Sequence, residues 1–86
     1  MAVPKVTVVV PVYNGERFLR GSLDSVCAQT FQNFELLCVD DGSTDNSQAV
    51  LEQYGERIRV VRQNNSGQSA ARNVGVTLAN GQYIAF

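Results

Sequence analysis

FELLCV, residues 34–39, is followed directly by DDGSTD, residues 40–45. The first stretch is apolar apart from one glutamate, as expected of a buried strand, and the second places three carboxylates within six residues. Neighbouring carboxylates repel one another, and each loses hydration when a wall forms beside it. In α/β sheets, nucleotides and phosphorylated ligands bind at the carboxyl ends of the strands. The junction therefore predicts a buried strand whose carboxyl end contributes acidic groups to a ligand site.

Strand and helix patterns alternate along the rest of the chain. β-branched residues 6–10 predict a first strand, which Pro11 should end because proline cannot donate to a strand ladder. Two more strands are expected at residues 58–62 and 83–86. Apolar residues at helical spacing predict helices at about residues 18–27, 46–54 and 66–79. The order β-α-β-α-β-α-β predicts an α/β fold, a Rossmann-like three-layer αβα arrangement with a mostly parallel sheet.

Local signals indicate where the helices begin, end and face the core. Asp45 with Gln48 is typical of a capping box, and Gly55 is expected to end the same helix. Ser66 is expected to cap the third helix. Phe18 is expected on the apolar face of the first helix. Together these signals predict amphipathic helices that cover the sheet.

The composition argues against several classes of function. Of the 86 residues, 44% are hydrophobic, which supports a packed core, and the net charge of −1 gives no attraction to nucleic acid. No apolar window approaches the roughly 18 residues that a membrane span needs, and the first residues lack a secretory signal pattern. With no histidine and two separated cysteines, a zinc site is not expected. Free cysteines favour a reducing compartment, so a cytoplasmic location is expected.

Four sequence motifs follow one another along the chain. They are VVVPVYN at residues 8–14, LDSVCAQT at 23–30, VDDGSTD at 39–45 and NSGQSAARNVG at 65–75. In this order they resemble the amino-terminal half of a family-2 glycosyltransferase, whose nucleotide-sugar-binding architecture is called GT-A. GQYIAF, residues 81–86, is similar to the strand that precedes the Asp-x-Asp metal-binding motif of that family. The resemblance implies that residues 1–86 are the amino-terminal portion of one such domain, an incomplete GT-A domain that ends before the motif.

The resemblance also implies a reaction for the whole protein. Such an enzyme is an inverting hexosyltransferase that moves a sugar from a nucleotide-sugar, here expected to be a UDP-sugar, to an acceptor hydroxyl. The expected acceptor is a sugar or a lipid-linked sugar, in glycan or polysaccharide synthesis. Mg²⁺ or Mn²⁺ would neutralise the diphosphate, with its ligands and the general base outside these residues. The chain alone is expected to be inactive, and to lie in the cytoplasm or peripherally at the inner membrane face.

The segment after the first strand is expected to hold the base of the nucleotide. The resemblance assigns Pro11, Val12 and Tyr13 to this part of the pocket. Pro11 would fix the backbone, and the Tyr13 ring can stack on a nucleobase. The alternative is a turn with a surface tyrosine. Glu16 is expected to accept hydrogen bonds from ribose hydroxyls, although a solvated residue in the first helical turn explains it equally well.

Charged residues on the other two loops receive more specific roles from the resemblance. Asp41 is expected to accept the imino N–H of uracil, and Asp40 to order the loop or contact the sugar, against the alternative of a solvated turn. Arg72 is expected to reach the base or the diphosphate, against the alternative of a surface arginine. Ser66 and Gly67 could present N–H groups to phosphate, but helix capping explains them as well.

Two other classes of function stay open. The chain would be a non-catalytic binding or self-associating α/β module if its fourth strand forms an exposed apolar edge, which invites pairing with a second copy. A phosphoacceptor receiver domain also carries an acidic pair at a strand end. In that class the pair follows the first strand, whereas here it follows the second, which disfavours this alternative.

Overall fold

A computed structural model describes residues 4–28 and 33–86 of the chain. Within them lie β1 (Val6–Val12), α1 (Glu16–Cys27), β2 (Phe34–Asp40), α2 (Ser47–Glu52), β3 (Arg59–Arg62), α3 (Gln68–Leu78) and β4 (Tyr83–Ala85), with a 3₁₀ turn at Gly55–Arg57 before β3. The strands form one sheet in the order β3-β2-β1-β4, and every pairing is parallel. The predicted α/β fold with its parallel sheet is confirmed.

β2 lies between β3 and β1, and its side chains alternate between the two faces of the sheet. On one face, the cluster beneath α1 and α2 contains Val12, Leu19, Leu23, Leu36, Cys38, Leu51, Tyr54 and Ile58. On the other face, the cluster beneath α3 contains Val9, Leu37, Val39 and Ala71. Because a strand exposes alternate residues to opposite faces, an unbroken apolar run suits a sheet covered on both sides. The predicted three-layer arrangement is confirmed.

Pro11 does not end β1 as predicted, and the strand continues to Val12. The carbonyl oxygen of Lys5 accepts a hydrogen bond from β4, and that of Val12 accepts one from the N–H of Asp41 beyond β2. Because backbone polar groups alternate sides along a strand, the nitrogen of Pro11 faces the β4 side. β4 pairs with β1 only as far as Val8. Within residues 4–28 and 33–86, the missing N–H of Pro11 therefore removes no hydrogen bond from the ladder.

Phe18 lies off the apolar face of α1, contrary to the sequence prediction. Leu19 and Leu23 are buried, whereas the Phe18 side chain is 73% exposed. Successive helical residues are about 100° apart around the axis, so a buried stripe centred on residues 19 and 23 leaves residue 18 at its flank. The apolar face of α1 is therefore narrower than its sequence indicates.

The start of α2 differs from the predicted capping box. Asn46 takes the N-cap position, while Oδ1 of Asp45 accepts the N–H of Ser47 at 2.9 Å. The Gln48 side chain accepts a hydrogen bond from Arg62 instead of returning to the helix start. Asp45 thus still accepts a hydrogen bond from a helix N–H, but it lies one residue before the N-cap and not at the N-cap as predicted.

The start of α3 and the end of α2 are also shifted from their predicted places. Gly67, with a φ of 100°, takes the N-cap position of α3. The Ser66 hydroxyl donates to the carbonyl oxygen of Asn64 at 2.8 Å and does not cap the helix. α2 ends at Glu52, before Gly55. A left-handed backbone suits glycine best, which explains why the chain turns into α3 at Gly67.

Three other expectations concern membrane spans, the cysteines and the LDSVCAQT motif. No helix within residues 4–28 and 33–86 is long and apolar enough to cross a membrane. Cys38 is a buried free thiol, and burial raises its pKa to about 12, so it is a packing residue and not a nucleophile. The last residues of the LDSVCAQT motif lie outside the described residues.

Gly75 lies where α3 packs closely against the sheet. A Cβ atom at this position would lie 2.3 Å from Cγ1 of Val9. We expect Gly75→Ala to lower the free energy of unfolding by about 1–3 kcal/mol, because overpacking displaces the neighbouring side chains. The matched control is Gly21→Ala in α1, where a Cβ meets nothing within 4 Å and the free energy should rise by about 0.5–1 kcal/mol. Urea unfolding measures both, and equal stability of Gly75→Ala and wild type would contradict the close packing.

β4 is an edge strand with exposed apolar side chains, among them Tyr83, Ile84 and Phe86 at 61%, 37% and 65% exposure. We expect the chain to dimerise or aggregate through this edge, because unpaired strand edges recruit other strands. Ile84→Lys should reduce the association, since a charge on an edge strand opposes pairing. Sedimentation velocity over a range of protein concentrations checks both points. A wild-type chain that stays monomeric at the highest concentration would show the prediction to be wrong.

Candidate functional site

The carboxyl ends of β1 and β2 lie side by side and open onto one cleft. The register pairs Val12 with Asp40, so the residues that follow them leave the sheet next to each other. The cleft has a volume of about 360 Å³ and is lined by Pro11, Val12, Tyr13, Asp41, Asn65, Gly67 and Gln68. The Tyr13 side chain forms one wall and is 53% exposed. The structure therefore brings Tyr13, Asp41, Pro11 and Val12 together in the lining of one cleft.

Asp41 is only 3% exposed, and its carboxylate holds the loop between β3 and α3. Oδ1 accepts the side-chain amide of Gln63 and the backbone N–H of Ser66, both at 2.8 Å. Oδ2 accepts the backbone N–H of Gly67 at 2.9 Å and the side-chain amide of Asn65 at 3.3 Å. A carboxylate has about four lone-pair positions. These four donors therefore occupy its acceptor capacity.

The same contacts set the charge of Asp41 and the path of the loop. The hydrogen bond from Gln63 contributes most to lowering the pKa of Asp41, followed by that from the Ser66 N–H, while desolvation opposes them. Donors that bind the charged form keep the carboxylate anionic at neutral pH. Gly42 permits the close approach, because it has a φ of 76° and a Cβ there would lie 2.7 Å from the backbone nitrogen of Asn65.

Asp40 is completely buried and does not line the cleft. Its Oδ1 accepts the N–H of Ser43 at 3.1 Å. Its Oδ2 lies 3.4 Å from Nε of Arg62 and has no hydrogen-bond partner among the described residues. Of the two predicted roles for Asp40, the structure shows contacts that order the loop after β2. The ion pair with Arg62 compensates the buried charge.

Glu16 and Arg72, both predicted for the site, do not line the cleft either. Glu16 begins α1, where Oε1 lies 3.5 Å from the backbone nitrogen of Asn46. The Arg72 guanidinium carbon lies 5.8 Å from the centre of the Phe86 ring, on the β4 side of α3. A cation over an aromatic face is a favourable contact. It places the Arg72 guanidinium beside the residue that follows β4.

Sequence reasoning left Asn65 and Gln68 without a role, although both line the cleft. The order of the strands in the sheet explains why these two residues reach the cleft. β3 is the parallel neighbour of β2, so residues that follow β3 reach the same sheet edge as Asp41. Asn14 was also missed: it has a φ of 49° and contacts the loop after β2. Neither the sheet order nor a backbone angle is visible in the sequence.

Similarity to known proteins identifies the family of the chain. The family described as glycosyl transferase family 2 matches residues 7–86. The chain belongs to this family. Glycosyltransferase GlyA of Streptococcus pneumoniae serotype 4 is 47% identical over 85 residues, which cover 95% of this chain and 12% of the relative. The uncharacterized glycosyltransferase EpsJ of Bacillus subtilis is 42% identical over 87 residues, 98% of this chain and 25% of the relative.

Several solved structures share the fold of this chain. S. aureus TarS 1-349 superimposes with a TM-score of 0.85 and 34% identity, over 93% of this chain and 26% of that one. A complex of the same protein with UDP-GlcNAc has a TM-score of 0.83 and 34% identity, over 93% and 25% of the two chains. The mannosyltransferase PcManGT of Pyrobaculum calidifontis, in complex with GDP-Man and Mn²⁺, has a TM-score of 0.80 and 25% identity, over 98% and 27%. The chain thus corresponds to about a quarter of the length of these structures, and its incomplete GT-A architecture is confirmed.

The role of Asp41 as an anchor for the loop predicts a pH-dependent loss of stability. A pKa that is lowered in the folded state contributes stability that is fully present above the ordinary pKa, about 4, and is lost as the pH falls through the lowered value. Asp41→Asn should therefore be less stable than wild type at pH 7, and the difference should shrink in acid. Gln63→Met keeps the carboxylate but removes the side-chain donor that lies 2.8 Å from Oδ1, and should show a smaller loss. Urea unfolding at pH 7 and pH 3 checks this; an Asp41→Asn difference that does not change with pH contradicts it.

Proposed function

We propose that this chain binds the nucleoside portion of a nucleotide-sugar, with a UDP-sugar as the favoured donor, as the donor-binding part of an inverting glycosyltransferase. One observation carries the proposal: Tyr13 and Asp41 line the same cleft at the carboxyl ends of β1 and β2, in a chain of glycosyl transferase family 2. That sheet edge is where α/β folds bind nucleotides. An aromatic face and a set of polar groups are what a pyrimidine base needs for recognition.

The size of the cleft fits part of the donor. Ligand pockets range from about 300 to 1,000 Å³, and this cleft of about 360 Å³ lies at the lower end. We assign it to the base and its ribose, with the diphosphate and sugar extending beyond these residues. Glu16 and Arg72 do not line the cleft, so we propose their ribose and diphosphate contacts for the parts of the donor that extend out of it.

Recognition of uracil by Asp41 requires an exchange of hydrogen bonds. Four donors already occupy the carboxylate, and the side-chain amide of Asn65, at 3.3 Å from Oδ2, makes the longest of these bonds. The same amide also donates to the carbonyl oxygen of Asp41 at 3.1 Å. We propose that the imino N–H of uracil replaces the Asn65 bond to Oδ2, while the bond to the carbonyl oxygen keeps Asn65 in place. The loop then stays ordered when the base binds.

The relatives support the donor class. TarS was solved in complex with UDP-GlcNAc and with UDP, and it is more similar to this chain than PcManGT, which was solved with GDP-Man and Mn²⁺. Within residues 4–28 and 33–86 no group of three His, Cys, Asp or Glu side chains could hold a metal ion. We propose that a Mg²⁺ or Mn²⁺ ion in the whole protein takes its ligands from residues outside this part of the chain.

The remaining features of the whole reaction are proposals that the family membership supports. We propose that an acceptor hydroxyl, on a sugar or a lipid-linked sugar, attacks the anomeric carbon opposite the departing diphosphate and inverts it. The carboxylate that deprotonates this hydroxyl is proposed to lie outside the chain described here. The two free thiols favour a reducing compartment, so we place the protein in the cytoplasm, where it would act in glycan or polysaccharide synthesis.

The proposal is tested by titrating the isotope-labelled chain with UDP and following its backbone amides by NMR. We expect shifts at Tyr13 and Asp41, with weak affinity because the diphosphate has few partners here. Tyr13→Ala should weaken binding about 5- to 100-fold, the range for loss of one base–aromatic stack.

The matched control for this titration is Tyr83→Ala on β4, which removes an equally exposed tyrosine outside the cleft. Its affinity for UDP should equal that of the wild type. A folded wild-type chain that shows no shifts at millimolar UDP would contradict nucleoside binding. That result would favour the alternative of a self-associating module without turnover.

A further inference from the structure

We propose that Asn14 is a positioning residue for nucleotide recognition, which holds the Tyr13 ring in place as a wall of the cleft before any ligand binds. This inference rests on the proposed function, because it concerns how the base meets Tyr13. The Tyr13 side chain is about half exposed, so burial alone does not fix its position. The backbone on either side of Tyr13 therefore has to be held in place.

The backbone of Asn14 is the first part of the argument. Among the described residues other than glycine, Asn14 alone has a positive φ, 49°. This left-handed conformation is unfavourable for most side chains, and asparagine tolerates it better than most. Strained backbone at a functional site persists where the surroundings fix it. The turn at Asn14 directs the chain away from β1 immediately after Tyr13.

The side chain of Asn14 supplies the contacts that fix this conformation. Its Oδ1 accepts the backbone N–H of Thr44 at 2.8 Å and that of Asp45 at 3.3 Å. Its own backbone N–H donates to Oγ of Ser43 at 3.0 Å. The Thr44 hydroxyl also donates to Oδ1, at 3.4 Å. One residue thus makes four hydrogen bonds to the loop between β2 and α2, the loop that begins with Asp41. We call these four bonds the Asn14 brace.

The brace places Tyr13 between two anchored neighbours. On one side, the carbonyl oxygen of Val12 accepts the N–H of Asp41 at 2.8 Å. On the other side, Asn14 is held by Thr44 and its neighbours. Both anchors belong to the segment after β2, so the position of Tyr13 is fixed relative to that of Asp41. Because the backbone at Tyr13 is already ordered, binding of a ligand does not cost the conformational entropy of ordering it.

The brace has support from neighbouring bonds, so its removal should leave the fold intact. The N–H of Gly15 donates to Oγ of Ser47 at 3.0 Å, and the N–H of Glu16 donates to Oδ2 of Asp45 at 3.3 Å. These bonds keep the start of α1 attached to the start of α2. Loss of the Asn14 side chain should therefore free Tyr13 locally without separating the two loops.

The central variant is Asn14→Gly, because glycine accepts the positive φ freely and lacks only the amide side chain. We expect its affinity for UDP to fall about five- to tenfold, the size of effect expected when one residue must be ordered on binding. In the Tyr13→Ala background the same substitution should cause no further loss, because the residue that it positions is gone. NMR titration with UDP of wild type, both single variants and the double variant forms a complete cycle.

Asn80→Gly is the matched control. It removes an asparagine side chain that also joins two segments, through a hydrogen bond from Nδ2 to Oε2 of Glu35 at 3.2 Å, but lies away from the cleft. Its affinity for UDP should equal that of the wild type even if its unfolding free energy falls. Equal losses of affinity for Asn80→Gly and Asn14→Gly would show a general effect of destabilisation and overturn the inference.

The outcomes separate this inference from the proposed function. If wild type binds UDP and Tyr13→Ala weakens it, but Asn14→Gly binds normally, the role of Asn14 is wrong and the function stands. An Asn14 effect that persists undiminished without Tyr13 also overturns the role. If wild type binds no UDP, both proposals fall. Should Asn14→Gly not fold, Ser43→Ala removes only the acceptor of the Asn14 N–H, and unchanged affinity for UDP in that variant would overturn the inference.

Discussion

The hydrogen-bonded carboxylate of Asp41 is the interaction on which the cleft depends. Asp41 follows a strand whose last five residues are buried, and its carboxylate oxygens accept hydrogen bonds from four donors in the loop between β3 and α3. The backbone N–H of the same residue is bonded to Val12 at the end of β1. One residue therefore joins the ends of three structural segments. Without its charge, the N–H groups at the start of α3 would face a weaker acceptor in a nearly dry site.

The fold was predictable from the sequence because its main signals are local. The apolar run at residues 34–39 and the β-branched run at residues 6–10 suit strands covered on both faces, and helical spacing filled the intervals between strands. The predicted end at Pro11 was wrong because strand pairing is not local. Whether a proline disturbs a ladder depends on which neighbour its nitrogen faces, and only the sheet order settles that.

The candidate site was predictable in part, for the same reason. Pro11, Val12, Tyr13 and Asp41 follow directly from two adjacent strands, and the structure places them together. Asp40, one residue earlier, has its side chain on the other side of the chain and is buried against Arg62. The alternation of side chains along a strand predicts that residues 40 and 41 face opposite sides. Which of the two faces the cleft can be decided only when the order of the strands in the sheet is known. Asn14 and Asn65 act through contacts across loops, which no spacing in the sequence reveals.

The placement of Pro11 has a consequence for what the cleft offers a bound molecule. Pro11 lines the cleft, and proline has no backbone N–H to donate. At this point the cleft presents an apolar ring, whereas Asp41, Asn65 and Gln68 contribute polar side chains to its lining. A lining that combines an apolar surface with a few hydrogen-bonding side chains suits a flat heterocycle better than an extended peptide, which needs partners for its backbone.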